Sequence, residues 1–219
     1  MSRVVVVGAS QQAKQTIDAM VRSGVDAVVG LVDDVPVGDE LAGFPVLGRI
    51  DDLPALVVSH RLDAAVVAIG DNWSRARVVE RLAVLCPGLD FARAIHPSAQ
   101  IGARTVIGPG TQVMAGVVIS NDVVVGRHAF FGTRSSLDHD SRLDAFASLA
   151  PNVATGGVVR VGAFSAVGIG ASIIHGVAIG AHTVVGAGST VLGDLPDHAV
   201  AFGTPAAVVR VRAEGDRYL

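Results

Sequence analysis

With a single cysteine, Cys86, in 219 residues, the chain cannot form an internal disulfide and suits a reducing compartment. Aromatic residues are scarce, at 4%, which excludes an interior built mainly of rings. There is no basic run, and the formal net charge is −3, so no electrostatic footprint for nucleic acid is present. Long apolar runs are missing too. The opening stretch Val4–Val7 is too short for a signal-peptide core or a membrane span. A soluble, cytoplasmic protein is expected, with no membrane and no nucleic-acid partner.

What is abundant is aliphatic side chain in a strict period. From Ile95 to Pro196 the chain divides into hexads. Their first positions are Ile95, Ile101, Ile107, Val113, Ile119, Val125, Phe131, Leu137, Leu143, Leu149, Thr155, Val161, Val167, Ile173, Ile179, Val185 and Val191. Sixteen of these seventeen are large and apolar, and Thr155 alone departs. The second position is often Gly, and the fifth is small or β-branched. One hexad makes one short side of a triangular β-helix, and three hexads make a coil. Residues 18 apart therefore share a column, separated by one strand spacing of about 4.8 Å.

The preceding segment reads as a domain of its own, residues 1–92, with the β-helix and its tail over 93–219. Strands are predicted at Arg3–Gly8, Ala27–Val32 and Ala64–Ile69, and helices at Gln11–Arg22 and Ser74–Leu85. Residues 35–54, rich in Pro and Gly, are expected to be loop. Strands alternating with helices predict an α/β, Rossmann-like parallel sheet. Ligands of such sheets sit beyond the carboxyl ends of the strands. There the sequence offers Gly8-Ala9-Ser10, the pair Asp33-Asp34, and Gly70-Asp71-Asn72. Either they bind a nucleotide, or the glycines only make turns and the carboxylates only cap a loop. The segment is not the G-x-G-x-x-G fingerprint.

Among seven histidines, His139 stands apart. It is the third residue of Leu137-Asp138-His139-Asp140-Ser141-Arg142, so it faces outward at a corner with a carboxylate on each side. A carboxylate holding one ring nitrogen raises the basicity of the other, as general base catalysis requires. In its column, one rung away, lies Gly157, whose N–H could meet a developing oxyanion. Asn121 lies one rung the other way. The bland alternative is a solvated corner histidine. His96, beside Pro97, is read as a cap, and for His128, His175, His182 and His198, with no flanking acid paired to them, the structural reading is preferred. Zinc is the rival reading for histidines on a β-helix, but their spacing does not match a ligand set, and no metal is expected.

Taken together, the hexads, Gly8-Ala9-Ser10, Asp33-Asp34, Gly70-Asp71-Asn72 with Arg75, Ile95-His96-Pro97, Asp138-His139-Asp140 and Gly203-Thr204-Pro205-Ala206 resemble one family. It is the sialic acid O-acetyltransferase / bacillosamine and perosamine N-acetyltransferase group of hexapeptide sugar acyltransferases. The resemblance implies a left-handed β-helix and a homotrimer with active sites at subunit interfaces. It implies acetyl-CoA as cosubstrate and a nucleotide-linked amino sugar as acceptor, in surface-glycan biosynthesis. His139 matches the general base and Asp140 its orienting acid. Ser148, Gly157, Ile169 and Ala187 match the acetyl-CoA contacts. Gly8, Ser10, Gln11, Gln12, Asp33, Asp34 and Gly70 match the nucleotide-sugar site. Two departures stand out. Gln11-Gln12 replaces the usual glycine and histidine after Gly8, and Gly132-Thr133-Arg134 replaces Asn-Thr-Gly. The residues themselves leave open an amine or a hydroxyl acceptor, or a trimer that binds nucleotide sugars without turnover.

Overall fold

The computed structural model describes residues 1–35 and 38–218. Its first part runs β1 (Arg3–Val7), α1 (Gln11–Ser23), β2 (Ala27–Val32), β3 (Glu40–Leu41), β4 (Phe44–Gly48), α2 (Leu53–His60), β5 (Ala64–Val67), α3 (Asn72–Leu85) and β6 (Asp90–Phe91). The strands order as β3-β4-β2-β1-β5-β6. Every pairing is parallel except the β3–β4 hairpin. The all-valine stretch of β1 is fully buried, as a central strand covered on both faces must be. Val4 and Val6 pack with Ala13, Ile17 and Met20 of α1. Val5 and Val7 pack on the other face with Leu53 of α2 and with Ala76, Val79 and Leu82 of α3.

The expectation of loop over residues 35–54 is corrected here. Positions 36 and 37 lie outside the described residues, but β4 follows and pairs with β2 through Leu31↔Val46 and Val32↔Gly48. The strand is written in its neighbour rather than in itself. At Gly30 a Cβ would stand 2.7 Å from the Pro45 carbonyl oxygen and 2.7 Å from the Leu47 side chain. Only a glycine in β2 lets a proline-containing strand approach this closely.

From Ala94 onward the chain is a parallel β-helix of two-residue strands, each ending on the first position of a hexad. The register is the 18-residue column: Val113, Phe131, Leu149, Val167 and Val185 follow one another along one side. Backbone N–H groups bond one coil onward, as in Gly102 to Ile119 at 2.8 Å and Gly126 to Leu143 at 2.7 Å. First and fifth positions fill the interior in one continuous aliphatic stack. From Arg104 to Gly188 the fourth position makes the corner with left-handed backbone, at φ 53° for His128, 57° for Asp140 and 60° for Phe146. The final rung breaks the ruler: Val184 pairs with Val200, two residues early.

Two groups of side chains join the domains. Arg75, at the start of α3, is fully buried, and among the described residues it has no carboxylate partner. Its guanidinium donates to the carbonyls of His128 (2.9 Å), Phe146 (3.1 Å), Ile69 (2.7 Å) and Gly70 (3.1 Å), and to Asn72 Oδ1 (2.7 Å). Burial lowers its pKa to about 10, so it stays charged at neutral pH, held by carbonyl dipoles. Beside it, one corner column carries His128, Phe146, Phe164, His182 and His198 in ring contact, and Phe91 of β6 meets His128 edge-on. The His128–Phe146 centroids are 5.1 Å apart and those of His182–His198 are 5.0 Å apart.

His128 is 1% exposed, and its Nδ1 has no partner. Burial, with Arg75 and Arg127 nearby, pushes its pKa down from 6.5 to about 4. The folded state thus holds this imidazole neutral, while the unfolded chain protonates it below its ordinary pKa. Its contribution to stability is complete above about pH 6.5 and is lost as pH falls toward 4. His128→Phe, which keeps the ring stack, is expected to flatten the dependence of unfolding free energy on pH across that window. Denaturant titrations at several pH values measure it.

Candidate active site

His139 rises from the corner between Ser136–Leu137 and Arg142–Leu143. The third place of a hexad projects outward just before the turn, and Asp140 takes that turn with φ 57°. The sharp backbone bend brings the two side chains together: His139 Nδ1 lies 2.8 Å from Asp140 Oδ2. Asp138 points elsewhere, and its Oδ1 accepts the His139 backbone N–H at 2.8 Å. The Asp140 hydrogen bond raises the imidazole pKa first of all. The charges of Asp138 and Asp140 add to it, and partial desolvation opposes them. Nδ1 is thereby committed, and Nε2 is left to take a proton.

The ring lies directly over Gly157. A Cβ there would stand 2.5 Å from both His139 Cε1 and Nε2. A residue larger than glycine would push the imidazole off this position. Gly156 and Val158 donate their backbone N–H groups to Ile173 and His139, whereas the Gly157 N–H has no protein acceptor among the described residues. A basic ring nitrogen and an uncommitted amide donor therefore face the same small space. His175 stands beyond the glycine, its ring centroid 6.2 Å from that of His139.

Ser148, Ile169 and Ala187 meet in a second place. Together with Gln12 and Gly70 they line a mainly apolar cavity of about 370 Å³ between the two domains, along the column Pro151, Ile169, Ala187. Ser148 Oγ accepts from Asn72 Nδ2 at 3.1 Å, and Tyr218 closes the rim while accepting the Asn72 N–H at 2.9 Å. Gln12 reaches the β-helix, donating to Gln112 Oε1 at 3.2 Å. This cavity lies on a different corner from His139, so a single chain does not bring the two together.

The remaining residues lie at the carboxyl edge of the sheet. β1 sits between β2 and β5, so the chain leaves it in opposite directions and opens a crevice there. Gly8, at φ 100°, makes the turn in a space that a side chain would overfill. Ser10 starts α1 with its hydroxyl uncommitted to the helix, and Gln11 is exposed. Asp33 accepts the N–H groups of Ala9 (2.6 Å) and Val35 (2.9 Å), bracing the turn. Asp34 is held at 2.5 Å by Arg81, which also binds Asp51, and this pairing lowers the Asp34 pKa. Among the described residues no cluster of three metal-ligating side chains occurs. Nor is any helix long and apolar enough to cross a membrane.

Sequence reasoning missed the bonding of Asn72 and Tyr218 at the cavity rim. Tyr218 lies far along the chain in a tail without repeat signal. The aromatic column could have been found, because residues 128, 146, 164 and 182 fall 18 apart.

Comparison with known proteins settles the family. A mutant of GDP-perosamine N-acetyl transferase from Caulobacter crescentus, in complex with CoA and GDP-perosamine, superposes with a TM-score of 0.89. It is 38% identical, over 96% of this chain and 98% of that one. This chain belongs to the sialic acid O-acetyltransferase / bacillosamine and perosamine N-acetyltransferase family of hexapeptide sugar acyltransferases. It is an acyltransferase. The acetyltransferase domain of PglB from Neisseria gonorrhoeae FA1090, in complex with acetyl coenzyme A, is 30% identical with a TM-score of 0.86, covering 95% of this chain and 99% of that one. GDP-perosamine N-acetyltransferase of Escherichia coli O157:H7 is 28% identical over 78% of each chain. Residues 3–82 match the PglD N-terminal domain. A Rossmann-like domain followed by a left-handed β-helix is the fold this acyltransferase shares with them.

If Asp140 sets the basicity of His139, Asp140→Asn should lower that pKa. The acidic limb of kcat/KM should then move to lower pH while the plateau falls. A pH–rate profile of the two proteins checks both effects.

Proposed function

We propose that this acyltransferase moves the acetyl group of acetyl-CoA to the amine of a nucleotide-linked amino sugar, by direct attack, with His139 as general base. The observation that carries the reading is the imidazole, held by Asp140 and seated over the free N–H of Gly157. The relatives crystallised with CoA and GDP-perosamine, or with acetyl coenzyme A, support the two substrates. The neutral amine attacks the thioester carbonyl, forming the C–N bond. His139 Nε2 takes the amine proton, and the Gly157 N–H receives the oxyanion. Collapse breaks the C–S bond, and the proton passes from the imidazolium to the departing sulfur. No serine or cysteine nucleophile is called for. Ser148, Ile169 and Ala187 hold CoA. Gly8, Ser10, Gln11, Gln12, Asp33, Asp34 and Gly70 hold the nucleotide sugar. The product serves surface-glycan biosynthesis, and the enzyme works in the cytoplasm.

We further propose a homotrimer whose sites form between subunits. The support is geometric. His139 stands at one corner of the prism, while the cavity of Ile169 and Ala187 follows another. A neighbouring copy can supply the missing half of each site.

His139→Ala is expected to lower turnover about 10²-fold or more, read by thiol release from acetyl-CoA with a GDP-linked amino sugar as acceptor. Undiminished turnover would remove His139 from the base role. For the shared site, His139→Ala chains co-assembled with Ala187→Trp chains should recover activity that neither variant has alone. No recovery in mixed assemblies would place each site within one subunit.

A further inference from the structure

Thr155 is the one departure among seventeen hexad positions, and it lies one rung from His139. From Val113 to Val191 every other first position is buried, while Thr155 is partly exposed. The backbone ladders mark the same spot. The other two sides of the prism run unbroken from β-strand to β-strand. The third side divides into two three-stranded sheets, parting between Ser136–Leu137 and Ala154–Thr155. The Ser136 N–H still bonds normally, to the Val153 carbonyl at 2.8 Å. The next donor, the Asp138 N–H, takes the Thr155 hydroxyl at 3.0 Å instead of a main-chain carbonyl. On the far side the ladder resumes, with Gly156 N–H bonding to Ile173 at 2.8 Å.

We propose that Thr155 is a positioning residue for His139, a role that rests on His139 being the base. A first-position side chain normally fills the core. Here the hydroxyl is turned to the backbone and holds the residue just before the histidine. Asp138, so held, uses Oδ1 to fix the His139 N–H at 2.8 Å. Ser141 Oγ donates to the His139 carbonyl at 3.2 Å from the other side. On its amino side the histidine is thus set by side chains in place of the regular ladder, while its carbonyl keeps the ladder bond from the Val158 N–H at 2.8 Å. An aliphatic residue at 155 offers no acceptor. The regular ladder can then close, and the histidine shifts relative to the glycine N–H. Displacements of an ångström or less cost large factors in rate.

The test is Thr155→Val, the same shape without the acceptor and the residue type found at Val161 and Val167, compared with Thr155→Ser and His139→Ala. Thr155→Val is expected to lower kcat about tenfold or more. KM for both substrates should be unchanged, and the melting temperature equal to or above that of the parent. Thr155→Ser, which keeps the hydroxyl, should restore most of kcat. Parental kcat in Thr155→Val overturns the proposal. So does a Thr155→Ser as slow as the valine variant, or a Thr155→Val that melts earlier or fails to fold, since each marks a packing role. His139→Ala separates the two readings. If it is inactive while Thr155→Val is fully active, only the positioning role fails. If His139→Ala is fully active, the base assignment fails first.

Discussion

The coil length is the constraint on which this structure depends. Each backbone N–H along a side of the prism must find a carbonyl one coil onward, and up to the last rung it does so because every coil spends the same 18 residues. An extra residue anywhere would turn inward-facing positions outward for the rest of the chain. Corners are therefore equivalent, strands are only two residues long, and left-handed backbone recurs at the fourth position even where the residue is Arg, Asp or Phe. Most of the cost of those turns is shared by the aliphatic stack inside, which is buried along nearly the whole length.

That fixed register also does the chemistry. Two side chains 18 residues apart are set one over the other with little freedom, so a histidine above a glycine becomes a ring above an open peptide. The same arithmetic makes an aromatic column on another corner, where rings stack and the N-terminal domain docks. The two uses occupy different corners of one prism. The joint at Arg75 commits one corner to the domain interface, and His139 faces outward from another.

At the domain joint, burial of a guanidinium is tolerated because four carbonyls and an amide oxygen converge on it. Two of those carbonyls belong to the β-helix, so the guanidinium depends on both domains for its partners. The domains are coupled by hydrogen bonds that neither can make alone, and the cavity holding Ser148, Ile169 and Ala187 with Gln12 and Gly70 exists only because of that coupling.

The hexad period determined the β-helix, its interior positions and the His139–Gly157 pairing, because a translational repeat converts residue number directly into position. Helix and strand patterns likewise placed β1, β2, β5, α1 and α3 to within a few residues. Other features needed the fold. β4 was illegible because its own residues read as loop, and only the close approach allowed by Gly30 makes them a strand. The bonding of Arg75, Asn72 and Tyr218 was illegible, since their partners are carbonyls and hydroxyls that become neighbours when distant segments meet. Thr155 was visible as an irregularity, yet its meaning was not. Sequence alone shows that a hexad position is polar. The tertiary structure decides that its hydroxyl replaces a ladder acceptor beside the histidine, because hydrogen-bond partners are set by proximity in space.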